Sequence, residues 1–404
     1  MRTTLSVLVA LSVLVAVSLV RADELYQETP LAPSPPIQFR AFGRSVAVTG
    51  DDALVGVPSA IVGAAQPGAV RRFRRIDGVW TDTTEYIAPS PTTGVSGFAT
   101  VMAADGDTLL VGASNSTISV NRDGAAFVFV RAAGQWTQQQ RLTPSDPTDT
   151  AKFGTSVALD GDTAVVAAQE APLGELVSAG AVYVFVRSNG VWTEQQKLDP
   201  PNPQSFGFFG ISLAVSGDTL LVGDFLHASS QGGAHVYERN NGTWSYVRKL
   251  AGDGTGSFTF QGEAVALDGD TAVVSADSDS DQGSGAGAAF VFTRDAQGTW
   301  SQSEKLFASD ASASARFGRT LALEGDRLLV GAADESSLTA RNGAVYLFER
   351  DGTGDWSESK KLTASDATSN DEFGDAIALG TGMAAVGAPL RGPNSTGTAY
   401  LFEL

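Results

Sequence analysis

The spacing most suggestive of a metal loop in this chain is Asp277-x-Asp279-x-Asp281. Alternating carboxylates are how a calcium loop sets out its first oxygen ligands, because the cation takes six to eight of them. The same stretch holds Gln282 where such a loop needs glycine and Ala288 where it needs a bidentate glutamate. Calcium at Asp277, Asp279 and Asp281 is thus an expectation set against a plain acidic loop. A second group lies in QSFGFFG and DFLHASSQGG, where Phe206, Phe208, Asp224, Phe225 and His227 combine ring faces, an acceptor and a titratable imidazole. These five residues are the expected ligand-contact patch. Gap-filling in the core is the competing role, since phenylalanine is usually buried.

Catalysis has thinner support. The chain has no cysteine, and its two histidines, His227 and His235, lack the spacing of a metal site. A carboxylate pair of the glycosidase kind is available from the acidic loops. No segment is long enough to wall off a deep pocket. A non-catalytic binding module for an extracellular protein or glycan is the leading expectation. A secreted carbohydrate-active hydrolase or lyase using loop carboxylates is the alternative.

The elements that must position these groups repeat. Tryptophan recurs at Trp80, Trp136, Trp192, Trp244, Trp300 and Trp356, at a constant interval broken only by the shorter step from Trp192 to Trp244. A period this long points to stacked units such as propeller blades. Residues 153–198 show one unit: TSVAL, a tight DGD turn, TAVVAA, a longer polar loop, GAVYVFVR, an Asn-Gly turn, and VWTEQQKL. These are four short β-branched or aromatic strands punctuated by glycine. First strands are expected to start at Phe42, Phe98, Phe153, Phe209, Phe260, Phe317 and Phe373, which makes seven. The tryptophan strand occurs six times, because the sequence stops at Leu404 with its last unit one strand short. Counting back from Phe42 by the interval that separates Trp192 from Phe209 lands on Leu25. Residues 24–31, ELYQETPL, are therefore expected to supply the missing outer strand and to cover an open sheet edge. The fold class expected is all-β, a seven-bladed propeller of four-stranded antiparallel blades spanning residues 23–404.

These units resemble the FG-GAP repeats of the integrin α-subunit propeller and of secreted prokaryotic proteins. Phe-Gly is literal at Phe42-Gly43, Phe153-Gly154, Phe209-Gly210, Phe317-Gly318 and Phe373-Gly374, and Gly-Ala-Pro at Gly387-Ala388-Pro389. The resemblance implies a propeller of adhesion or binding type. Integrin-like units also carry a calcium cage between their first two strands. Here that turn is cut to TGDD, DGDT, SGDT or EGDR, too few oxygens for a cation, so Asp51, Asp107, Asp162, Asp218, Asp270 and Asp326 are expected to serve the turn's backbone geometry. Loops after the second and fourth strands are long and differ between units, so the binding face is expected there.

Residues 1–22 read as an export signal cut after Ala22: a basic start, an apolar run from Leu5 to Val20, and small residues before the cut. That run is shorter than a spanning helix needs, and no membrane span is expected. The mature product is expected outside the cytoplasm, as a monomer. Asn115, Asn241 and Asn394 begin glycosylation sequons, used only in a host with that machinery. A formal net charge of -18 disfavours nucleic acid and anionic membranes as partners.

Overall fold

A computed structural model of the chain describes residues 28–33, 41–62, 65–119, 121–224, 231–253, 259–335, 341–380, 382–392 and 394–404. The expected leader, residues 1–22, lies outside them. Among these residues the chain forms 28 strands in seven four-stranded antiparallel sheets, and no helix. Phe153–Asp160, Thr163–Ala168, Ala181–Ser188 and Val191–Leu198 make one sheet, paired in chain order as a meander. Its last turn is Asn189-Gly190, with φ of 51 and 78°, the doubly left-handed backbone that suits the twist of a two-residue hairpin.

The first strand of each sheet packs beside the first strand of the next, and the series returns on itself where Val46–Thr49 meets Ala376–Gly380. The sheets are therefore blades around a central axis. Apolar side chains fill the seven gaps between neighbouring blades. Phe153 shows how the Phe-Gly pair serves this packing. Its ring meets Tyr183 and Phe185 edge-on, at 5.4 and 6.1 Å. Gly154 follows with φ of 93°, and a Cβ there would lie 2.3 Å from the Ala125 carbonyl oxygen of the preceding blade.

The last blade takes its outer strand from the other end of the chain. Glu28–Leu31 pairs antiparallel with Thr398–Glu403, with Pro30 opposite Tyr400 and Leu31 opposite Ala399. The expectation for residues 28–31 holds, and residues 24–27 lie outside the described set. One detail differs from the interval count. In the other blades the outer strand carries a bulge, as between Val184 and Phe185 of the third strand. Glu28–Leu31 pairs without one. The alignment therefore slips by one position before Thr29, and Glu28 takes the place of Glu194.

Unit five also departs from expectation. Gln261, not Phe260, occupies the core position held by Phe209 in the previous blade: it bridges Gly232 as Phe209 bridges Gly180. Fully buried, it exchanges two hydrogen bonds with the Gly252 backbone, accepting from its N–H at 2.7 Å and donating to its carbonyl at 3.3 Å. Trp244 precedes Gln261 by the same interval that separates Trp192 from Phe209, so spacing pointed to Gln261 while residue type pointed to its neighbour.

The tryptophans pack between blades. Trp192 is gripped by the preceding outer strand: Gln140 receives its backbone N–H at 2.9 Å and donates to its carbonyl at 2.7 Å, and Gln139 accepts from the indole at 2.8 Å. Gln195 and Gln196 hold Trp244 in the same way. An arginine of the third strand lies over each of these rings, 5.0 Å away for Arg187 on Trp192.

That arginine also explains the shortened turns. Arg187 donates to Asp162, and the same bond joins Arg131 to Asp107, Arg239 to Asp218, Arg294 to Asp270 and Arg350 to Asp326, at 2.5 to 2.8 Å. The turn aspartates thus hold the third strand as well as the turn. Blade one breaks the pattern. Asp52 stands where the other blades place Thr108 or Thr163, and Arg72 where they place Val128 or Val184. Both are buried between blades one and two. Arg72 Nε donates to Asp52 at 3.0 Å, and its Nη1 to Glu85 at 2.8 Å, while Arg131 and the Trp136 indole donate to the second Asp52 oxygen at 2.8 and 3.0 Å.

Candidate functional site at the channel mouth

Strand order puts the tight turns on one face of the ring and the long loops on the other. The long loops are stitched together across blade boundaries. Phe206, Phe208 and Phe209 donate their backbone N–H groups to the carbonyls of Val177, Ser178 and Ala179 at 2.7, 3.1 and 3.1 Å. A Ser-Asp pair after an outer strand anchors others: Ser145 bonds Glu194, and Asp146 accepts from Tyr183 and Lys197, each at 2.7 Å. Ser309 and Asp310 repeat this with Glu358, Tyr346 and Lys361. Burial opposes ionisation of Asp146 and Asp310, but the Lys and Tyr donors outweigh it and hold both below the usual carboxylate range.

At the centre of this face the first strands open into a channel. The residue following each Phe-Gly position points into its mouth, giving Arg44, Thr100, Thr155, Ile211, Glu263, Arg319 and Asp375 around a cavity of about 360 Å³. Arg319 pairs with Glu263, and Arg44 with Asp375. Arg316 adds a bond to Glu263 at 3.3 Å and an ion pair with Asp277. The charged half of the rim thus spans blades five, six, seven and one. Opposite it stand the hydroxyls of Thr100 and Thr155, which donate to Gly97 and Ala167 carbonyls and keep lone pairs to accept with. Ile211 completes the rim, and Val46, Met102, Val157 and Leu213 form the floor. Deeper in, Val48, Ala104, Leu267, Leu323 and Leu379 line an apolar throat of about 240 Å³. Beside the mouth, burial and then the nearby Asp375 and Asp334 push the Glu372 carboxyl above its ordinary range, against the pull of Arg44 and Arg319.

The expected contact patch divides. Phe206 and Phe208 come together, rings 6.3 Å apart, and Phe206 is 58% exposed beside the exposed Val177. Asp224 is not on the surface. It is 2% exposed, and its Oδ2 lies 3.2 Å from His235 Nε2. The pair replaces an alanine and an aromatic residue, the Ala168 and Tyr183 of blade three. Phe225 and His227 lie outside the described residues.

The expected calcium ligands do not converge. Lys305 Nζ takes Asp279 at 2.8 Å and Asp281 at 2.6 Å, and Arg316 takes Asp277. Burial raises the Asp277 carboxyl despite Arg316. Among the described residues no group of three or more His, Asp or Glu side chains is placed to hold a metal. In this structure the three carboxylates anchor neighbouring cations. The rim itself escaped sequence reading because its members sit a full repeat apart and have no residue type in common. The available signal was positional: each follows a Phe-Gly position.

A ring of seven meander blades, sealed by a strand from the opposite terminus around an open axial channel, defines a closed β-propeller. The chain belongs to the FG-GAP repeat family, whose model matches residues 136–185, 192–237, 244–292, 300–348 and 356–402. Each matched unit begins at a tryptophan and ends in the third strand of the next blade, so the sequence repeat is one strand out of phase with the structural one. Among solved structures, a protein from Lactobacillus plantarum is similar at 16% identity and a TM-score of 0.52, over 80% of this chain and 86% of that one, a likeness of fold. No curated protein matches the sequence.

Proposed function

We propose that this protein is exported and acts as a monomeric, non-catalytic binding module that recognises an extracellular protein or glycan on its long-loop face. One observation carries the reading. The tight-turn face repeats the same Asp-Arg clamp from blade to blade, whereas the long-loop face is individual, with a rim of seven side chains of mixed chemistry and, in its loops, the exposed Phe206 and Val177. Sites are grafted onto repeat scaffolds where the repeat constraint lapses. Binding without turnover is favoured because the rim carboxylates Glu263 and Asp375 are tied to arginines, which suits recognition better than proton transfer.

The test uses the mature chain on an array of glycans and extracellular proteins, with Phe206→Ala and Arg319→Ala on the long-loop face and Asn189→Ala on the opposite face. The reading expects retained ligands to be lost with the first two variants alone and to leave the protein chemically unchanged. Loss confined to Asn189→Ala, or consumption of a retained glycan, contradicts it.

A further inference from the structure

We infer that the channel mouth is a socket for one neutral sugar residue, entered end-on from the long-loop face. This rests on the binding reading above and narrows it to a ligand class and a place. The cavity of about 360 Å³ stands at the low end of the roughly 300–1,000 Å³ typical of small-molecule sites. Its four charged lining residues, Arg44, Glu263, Arg319 and Asp375, sum to zero and are paired. Each ion pair holds a guanidinium and a carboxylate side by side, so donors and acceptors are fixed next to one another. A sugar hydroxyl both donates and accepts, and two adjacent hydroxyls match such a pair. Thr100 and Thr155 supply further acceptors across the mouth, while Ile211, Met102, Val157 and Leu213 give the C–H face of a ring an apolar surface. A charged ligand would have to displace one partner of a pair and strand the other, and Asp375 is only 8% exposed. The throat beneath is lined by apolar side chains, with nothing in its side-chain lining to receive a second sugar, which sets the depth of entry.

The experiment titrates the mature chain with glucose, galactose, mannose and N-acetylglucosamine, followed by saturation-transfer NMR and calorimetry. At least one should bind, with affinity unchanged between low and high salt, since no net charge is neutralised. Thr155→Trp, which fills the mouth, should weaken binding at least tenfold, and Arg319→Gln with Glu263→Gln should do likewise while the melting curve stays single and cooperative. Should Thr155→Trp fail to fold, Ile211→Trp serves the same purpose from the neighbouring blade. The inference is overturned if none of the four sugars binds, if glucuronic acid binds tighter than glucose, or if the filled mouth binds as well as the open one. A protein or glycan held on this face regardless of Thr155→Trp sinks the socket and leaves the broader binding reading standing. A face that retains nothing sinks both.

Discussion

Glu28 and Ser365, 337 positions apart in the chain, are hydrogen-bonded across the gap between blades six and seven, with the carboxylate accepting from the serine backbone N–H and hydroxyl, each at 3.1 Å. The contact reproduces those of Glu194 with Ser145 and of Glu358 with Ser309. The borrowed strand is thus tied into the ring by the device used in the other blades, and not by backbone pairing alone.

Leu31 carries most of the apolar anchoring of that strand and is 3% exposed. Leu31→Ala should lower unfolding stability by about 2–5 kcal/mol. Glu28→Ala, which removes bonds open to solvent, should cost about 1 kcal/mol or less. Denaturant midpoints of both variants beside the parent check the order; equal effects would contradict it.

Asp52 and Arg72 predict a strong coupling. Arg72→Val leaves a buried carboxylate short of a partner and should cost about 3–5 kcal/mol. Asp52→Thr together with Arg72→Val restores the residues that blade three holds as Thr163 and Val184, and should cost less than the single change. A double-mutant cycle measures the coupling, and additive losses would refute it.

Gln261→Ala should cost about 2 kcal/mol or more, because it strands both backbone groups of Gly252 in the core. Amide exchange at Gly252 should quicken at the same time. An unchanged exchange rate would show that this bond pair is not formed.

Two sets of carboxylates give opposite acid responses. Asp146 and Asp310 lie below their unfolded value of 3.8 when folded. Their contribution is complete at neutral pH and is lost as the pH falls through that range. The double variant Asp146→Asn, Asp310→Asn should therefore be less stable at neutral pH and show a shallower acid limb. Glu372 lies above its unfolded value of 4.5, so its charge penalises the fold at neutral pH and the penalty fades on acidification. Glu372→Gln should raise the melting temperature at neutral pH and converge with the parent below about pH 4. Melting curves across pH separate the two cases.

The blade count and the borrowed strand were legible because tryptophan, Phe-Gly and glycine turns recur at fixed intervals, and a gap in a period shows without coordinates. Leu31 could be placed by interval; the one-position slip at Glu28 could not, since a bulge leaves no mark on composition. Phe260 was chosen over Gln261 because an aromatic residue outweighed spacing. The ion pairs of Asp277, Asp279 and Asp281 were not legible, because the cations, Arg316 and Lys305, are distant in sequence. The channel rim is the extreme case, a site assembled from one residue per blade that only closure brings together.

Closure is tested most directly by comparing the melting of residues 32–404 with that of residues 23–404, and then adding a synthetic peptide of residues 23–31. The borrowed-strand ring predicts a lower melting temperature for the shortened chain and at least partial recovery with the peptide. Identical melting of the two chains, with no response to the peptide, would contradict it.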